Sequence, residues 1–382
     1  MQLLMLGNGF DLHYCLPTTY NDFLRIDCEK VANLSSQKTE FLRSKVLSNK
    51  WFLYLKEKSK ENGNWVDFEQ EIARALSALH ELFISYSAGK SQIRVGDNNP
   101  CLWGVMKAFD LGKPYASANN GRFEIAQMTF RKDYLKGPKF IQLDKEKIIG
   151  MLFSELCDLN KMLRYYLESF AEAPFSQKVK SGNVKKYPII ASADAVVTFN
   201  YTNSFETLYG EKKVCHIHGR LPNGHCCQDS DKDVVLGIDS DKYDELGSLD
   251  MSFIQFKKYF QRATLCTDSE YRKLIWDIEK CRMDNPDPEK IELRVIGHSL
   301  DKTDKEIIQE LFELSDEIWV YYYKEKDKVN YNRNLVSIYG MHGFERIRKE
   351  KQLTYVALEK LDEMRLIPAG KIDTLDTTRS DG

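Results

Sequence analysis

Apolar residues fall into short unbroken runs near both ends of the chain and into helical stripes between them. The first run, Leu3-Leu4-Met5-Leu6, stops on Gly7-Asn8-Gly9-Phe10-Asp11. A run without polar alternation predicts a strand covered on both faces, as in the middle of a parallel sheet. Residues 17–24 read as a turn into a helix. Similar runs recur at 194–199, 213–218, 234–236, 292–296 and 317–323. Between them, helices are predicted at 203–209 (capped by Thr202 or Asn203), as a pair over 250–283, and at 303–314 and 327–341. Strands and helices in alternation predict an α/β fold with a parallel sheet.

The middle of the chain breaks that alternation. Residues 38–60 read as helical, with Phe41, Val46, Leu47, Phe52, Leu53 and Leu55 apolar, until Asn62-Gly63-Asn64 interrupts. Trp65-Val66-Asp67-Phe68-Glu69 opens a helix whose stripe is Phe68, Ile72, Leu76, Leu79 and Phe83. Asp67 and Glu69 fall in its first turn, where acids complement the helix dipole. Residues 144–172 carry another stripe: Ile148, Leu152, Leu156, Leu159, Leu163 and Tyr166. Residues 88–138 have no period and several Gly and Pro, which predicts an irregular insertion serving as a lid or partner surface. From about Ala369 the chain is polar and expected to fray. No internal repeat or low-complexity tract is visible.

Composition narrows the function classes. The 382 residues, 42% hydrophobic, suffice for a large core. A net charge of -2 gives no basic excess, so nucleic acid is not indicated. Nine cysteines with no C-x-x-C pair predict reduced thiols in a cytoplasmic protein. The first strand leaves no room for a targeting segment, and no apolar stretch approaches the ~20 residues that span a bilayer.

The chemistry gathers at strand ends: Gly7-Asn8-Gly9, Asn200-Tyr201-Thr202, His218-Gly219 and Gly297-His298-Ser299. In an open parallel sheet the ligand crevice lies outside those ends. Gly7 and Gly9 permit a sharp turn and close approach of a phosphate. They are not a dehydrogenase fingerprint, because the third glycine position holds Leu12. His216 and His218 alternate along one strand, so a metal site with nearby His225, Cys226 and Cys227 is one reading. Another makes His218 a general base beside flexible Gly219, with His216 an ordinary buried histidine. Asn200 suits a water or ribose hydroxyl, or else caps a turn. Gly297 and Ser299 suit a phosphate or ribose, or else belong to a helix start capped by Asp301 or Thr303. G-x-S does not extend to a hydrolase elbow, since Asp301 follows Leu300. Phe256-Lys257-Lys258-Tyr259-Phe260-Gln261-Arg262 either presents Lys or Arg to a phosphate or, the favoured reading, is a half-buried helix with a solvated charged face.

These segments together resemble a known family. Gly7 to Leu12, Leu16-Pro17-Thr18, Tyr20-Asn21-Asp22-Phe23, Trp65 to Glu69, Phe199 to Thr202, His216 to Gly219, and Gly297 to Leu300 with Asp304 follow the pattern of the abortive-infection H (AbiH) family of bacterial phage-resistance proteins. That pattern is similar in turn to sirtuin-like NAD-binding domains. The resemblance implies an α/β, Rossmann-like (sirtuin-like) parallel sheet with a large, mostly helical insertion. It divides the chain into a nucleotide-binding core (1–30 and 190–365), the insertion (31–189) and a polar tail (366–382). It implies that Asn200 and His218 are catalytic. It implies that Gly7, Asn8, Gly9, Asp11, Pro17, Thr202, Gly219, Gly297, Ser299 and Asp304 hold NAD. Three departures stand out: Cys15-Leu16 replaces a Gly-(Leu/Ile) before Pro17, Thr202 replaces an Asp, and the four-cysteine zinc module of sirtuins is absent.

The resemblance therefore implies hydrolysis of NAD to nicotinamide and ADP-ribose, with NAD as substrate and no metal. Expected partners are NAD or a related nucleotide, a phage-derived trigger or partner defence protein, and further copies of the chain. The alternatives are a non-catalytic nucleotide-binding sensor and a metal-dependent nuclease.

Overall fold

The computed structural model describes residues 1–32, 37–62, 67–87, 93–94, 100–119, 122–137, 142–210, 212–222, 234–238 and 251–359. Its centre is a six-stranded sheet: β1 (Gln2–Leu6), β2 (Ala195–Thr198), β3 (Lys213–His216), β4 (Glu292–Ile296), β5 (Glu317–Tyr322) and β6 (Thr354–Ala357). The strands run in the order β3-β2-β1-β4-β5-β6, every neighbouring pair parallel. In β1 the alternation of side chains divides the core between the faces. Leu4 and Leu6 join a cluster made largely by the helical middle of the chain, with Phe23, Phe52, Phe68, Leu159 and Tyr166. Leu3 and Met5 join a second cluster with Tyr271, Ile307, Leu311 and Leu335. Burial on both faces explains why these strands show unbroken apolar runs.

Helices occupy the expected regions with local differences. Two of them cover residues 38–60, Gln37–Val46 and Lys50–Glu61. In the order in which they build the site, the labelled helices are α1 (Asn8–His13), α2 (Tyr20–Leu24), α3 (Phe68–Ser87), α4 (Lys145–Tyr166), α5 (Ser204–Tyr209), α6 (Lys258–Leu265) and α7 (Lys305–Leu314). α1 starts directly after Gly7, where only a turn was expected. Its Asn, Gly and Asp are weak helix formers and it is too short to show a period. α4 runs into a π-helical turn at Leu167–Glu172. The last long helix extends over Glu325–Glu350 and is kinked at Gly340. No helix among the described residues is long and apolar enough to cross a membrane.

Two expectations about whole segments fail. Residues 234–236 form no strand: Val235 N–H donates to His218 O (2.8 Å) without a ladder. Part of segment 88–138 is regular, with a helix at Pro100–Ala108 and an antiparallel hairpin of Gly112–Asn119 with Arg122–Phe130. The hairpin hides because Lys113-Pro114-Tyr115-Ala116-Ser117 lacks clean alternation. Its local signal was Asn120-Gly121, a dipeptide favoured in two-residue hairpin loops. Trp65, Val66, His225, Cys226, Cys227 and the 366–382 tail lie outside the described residues.

The ends of β1 and β4 meet backbone to backbone. Gly7 N–H donates to Ile296 O (3.1 Å), and Gly9 N–H donates to Gly297 O (2.8 Å). A Cβ at Gly7 would stand 2.5 Å from His298 Cα, and one at Gly9 2.6 Å from Gly297 Cα. A Cβ at Gly297 would stand 2.2 Å from Phe10 N, at a φ of +70°. These distances forbid side chains unless the loops part. Overpacking of this kind costs about 1–3 kcal/mol, and a left-handed residue with a Cβ adds about 1 kcal/mol. Gly297→Ala should therefore lower the thermal midpoint markedly. Gly150→Ala, on α4 with nothing within 4 Å of the added Cβ, should raise stability by about 0.5–1 kcal/mol. Equal midpoints for the two variants would contradict the close approach.

Candidate functional site

A cleft of about 540 Å³ opens at the C-terminal ends of the central strands. That volume suits a small-molecule ligand. The loop after β1 contributes Gly7, Asn8, Gly9 and Asp11, and the segment after β2 contributes Asn200 and Thr202. His218 arrives past the end of β3, and Gly297, His298, Ser299 and Asp304 follow β4. Tyr20 of α2 and, from the helical middle, Asp67, Glu69, Leu163 and Leu167 close the other wall.

Ten of the twelve sequence-selected residues thus meet in one cleft. Pro17 and Gly219 do not line it. Pro17 O accepts the Tyr166 hydroxyl of α4 (2.9 Å), which fixes the loop that carries Thr18. Thr18 Oγ1 donates to Asn8 Oδ1 (2.6 Å). Gly219, at a φ of +81°, makes the turn that ends the strand early. β3 therefore stops at His216, and the two histidines do not share a face. Both His216 nitrogens face acceptors, Asn200 O at 3.0 Å and Glu206 Oε1 at 2.8 Å. It has no free nitrogen for a shared ion, which counts against a metal held by His216 and His218 together.

Asp304 organises the cleft. His218 Nε2 lies 3.1 Å from Asp304 Oδ1, and His298 Nε2 3.4 Å from Asp304 Oδ2. Lys258 Nζ lies 3.5 Å from Oδ1. Burial alone would raise the Asp304 pKa, but Lys258 and the two histidines hold the carboxyl well below its ordinary range. An ionised carboxylate only accepts, so the His218 Nε2 carries the proton. Burial and the nearby Lys258 charge lower the His218 pKa to about 4, against the pull of Asp304. At neutral pH the ring is uncharged, with its lone pair on Nδ1. That atom is buried and has no hydrogen-bond partner. The Asn200 Nδ2 is likewise buried and makes no hydrogen bond of good geometry, although it bears on the Asp11 carboxyl.

Asp11 ties two loops rather than standing open. Thr202 Oγ1 donates to Oδ2 (2.6 Å) and Ser204 Oγ to Oδ1 (2.5 Å). Burial raises its pKa to about 6 although these hydroxyls and the nearby Asn200 amide oppose the shift. Thr202, the departure from the resembled pattern, is thus the residue that joins the β2 loop to α1.

Three contributors were given no role in the site from the sequence. Lys258 is 4% exposed, and its Nζ sits 2.7 Å from Glu69 Oε1. Its helix buries a polar face, the cations Lys258 and Arg262 with the amide Gln261, where a solvated face was expected. The i, i+3, i+4 spacing was the available signal. Glu69 does more than complement a helix dipole: burial raises its pKa to about 7 against the effect of Lys258. His298 accepts Leu300 N–H on Nδ1 (3.0 Å), which directs its Nε2–H to Asp304.

These shifts predict a pH trend. Folding raises Asp11 from 3.8 to about 6, and Glu69 and Glu172 from 4.5 to about 7. Their folded forms keep protons that the unfolded chain has released, so stability falls as pH rises through those values. His218, lowered from 6.5 to about 4, opposes the trend as one group against three. The thermal midpoint should fall from pH 5 to pH 8, with a shallower fall in Glu69→Gln. A midpoint rising over that range would contradict the assignment.

No curated protein and no solved structure matches the chain. Residues 3–323 match the family model for bacteriophage abortive infection AbiH, a span that includes every cleft residue named above. The chain belongs to the bacteriophage abortive infection AbiH family.

Proposed function

We propose that the protein acts in phage abortive infection by hydrolysing NAD at the nicotinamide–ribose bond. Membership of the AbiH family supports the role in abortive infection. The observation that carries the chemistry is the pair of unpartnered buried atoms, His218 Nδ1 and Asn200 Nδ2, in one cleft. Buried polar atoms are ordinarily hydrogen-bonded, so an acceptor and a donor left open together favour a ligand or water between them. The strand order β3-β2-β1-β4-β5-β6 also supports a Rossmann-like, sirtuin-like reading, because dinucleotide-binding sheets share it.

In this reading the C–N glycosidic bond breaks and its electron pair passes to the ring nitrogen, releasing neutral nicotinamide. Water forms the new bond at the ribose anomeric carbon, and its proton passes to His218 Nδ1. Asn200 Nδ2 holds that water or a ribose hydroxyl. Asp304 fixes the His218 tautomer, and the surrounding carboxylates favour the cationic ribosyl centre of the transition state. Gly7, Asn8, Gly9, Gly297 and Ser299 would cradle the remainder of the dinucleotide. An enzyme that depletes NAD must be silent before infection, so a phage-derived trigger and homo-oligomeric assembly in the cytoplasm belong to the same reading. A non-catalytic sensor is the second reading. It is favoured by the engagement of the Gly7 and Gly9 N–H groups with the β4 loop, which leaves them unavailable to a pyrophosphate.

The purified protein should release nicotinamide from NAD, alone or with phage-infected lysate. His218→Ala should cut the rate by about 10²–10⁴-fold and Asn200→Ala by about 10²-fold. NAD bound without release would select the sensor. Release unaffected by His218→Ala would refute the assigned base.

A further inference from the structure

We propose that Lys258 is a positioning residue with two effects on His218: it keeps Asp304 ionised, which fixes the ring's tautomer, and its own charge disfavours an imidazolium, so that the ring stays neutral with its lone pair on Nδ1. The inference deepens the hydrolase reading and rests on it for the identity of the base. Its own support is geometric. Lys258 comes from α6 and lines the cleft, and its ammonium stands between two carboxylates, Glu69 Oε1 at 2.7 Å and Asp304 Oδ1 at 3.5 Å. Both acids belong to other elements: Glu69 opens α3 of the helical middle and Asp304 precedes α7. Isolated in the interior, any one of these charges would cost several kcal/mol. Held together, they fix a charge pattern against the histidine.

The groups facing His218 are few. Asp304 receives its Nε2–H, and Lys258 and Arg262 bear on it from α6. The rings of Phe199 and Tyr201 flank it at 5.5 and 6.5 Å. The carboxylate alone would stabilise an imidazolium. The two cations oppose that, and Lys258 is the one that also contacts the carboxylate. Glu69 holds the far side of Lys258, so the helical middle sets the charge state of a base in the sheet core.

The test reads the histidine itself, without NAD. In protein labelled with ¹⁵N-histidine, the His218 signals, assigned by their loss in His218→Ala, are followed against pH. The wild-type midpoint should lie near 4. Lys258→Met should raise it by about 1–2 pH units, and Lys258→Arg should restore the low value. Glu69→Gln/Lys258→Met removes the stranded carboxylate, keeps the test available if the single variant does not fold, and should show the same rise. The acid limb of kcat/KM for NAD should move with the midpoint. An unchanged midpoint in both Met variants would overturn the proposal even if NAD is hydrolysed. A shifted midpoint without hydrolysis would uphold it and remove the NAD reading alone.

Discussion

A buried carboxylate must find compensation where it lies, and Asp304 finds it from three directions. Its oxygens meet His218 from beyond β3, His298 from the β4 loop and Lys258 from α6. Removing one partner of a buried charge costs about 3–5 kcal/mol, so these contacts hold the segments in register as well as setting their chemistry. The same carboxylate decides which His218 nitrogen is bare. Through Lys258 the constraint passes to Glu69, so the helical middle is part of the site's wall.

A second constraint is steric. The ends of β1 and β4 approach until no Cβ fits at Gly7, Gly9 or Gly297. This contact sits where the strand order changes direction, between β1 and its two neighbours. Asp11 completes the seam by accepting from Thr202 and Ser204 past the end of β2. One acidic residue and three glycines thus bring the β1, β2 and β4 loops to the rim of one cleft. The motif that suggested a phosphate turn has a packing cause as well: those glycines let two backbones touch.

What was legible in the sequence follows from how local each cause is. The central strands were legible because burial on both faces leaves Leu3-Leu4-Met5-Leu6 and Ala195-Val196-Val197 without polar alternation. Asn200, His218 and Gly297 were legible because polar groups at strand ends converge in an open parallel sheet, and Asp304 through the family resemblance. Lys258 and Glu69 were not, since a lysine among aromatics and a glutamate in a first helical turn look alike whether buried or solvated. Their pairing spans nearly 190 positions, and only the tertiary structure brings them together. α1 escaped because short helices of weak formers have no period. The end of β3 escaped because Ile217 continues its apolar run while the backbone already turns.

The central claim is that His218 Nδ1 and Asn200 Nδ2 await the same ligand. A crystal structure with a non-hydrolysable carbocyclic NAD analogue tests it most directly. The account predicts the nicotinamide ribose in the cleft, with a hydroxyl or the attacking water hydrogen-bonded to both atoms and Asp304 still paired with His218. An analogue bound elsewhere, or one in the cleft that leaves both atoms unpartnered, would contradict it.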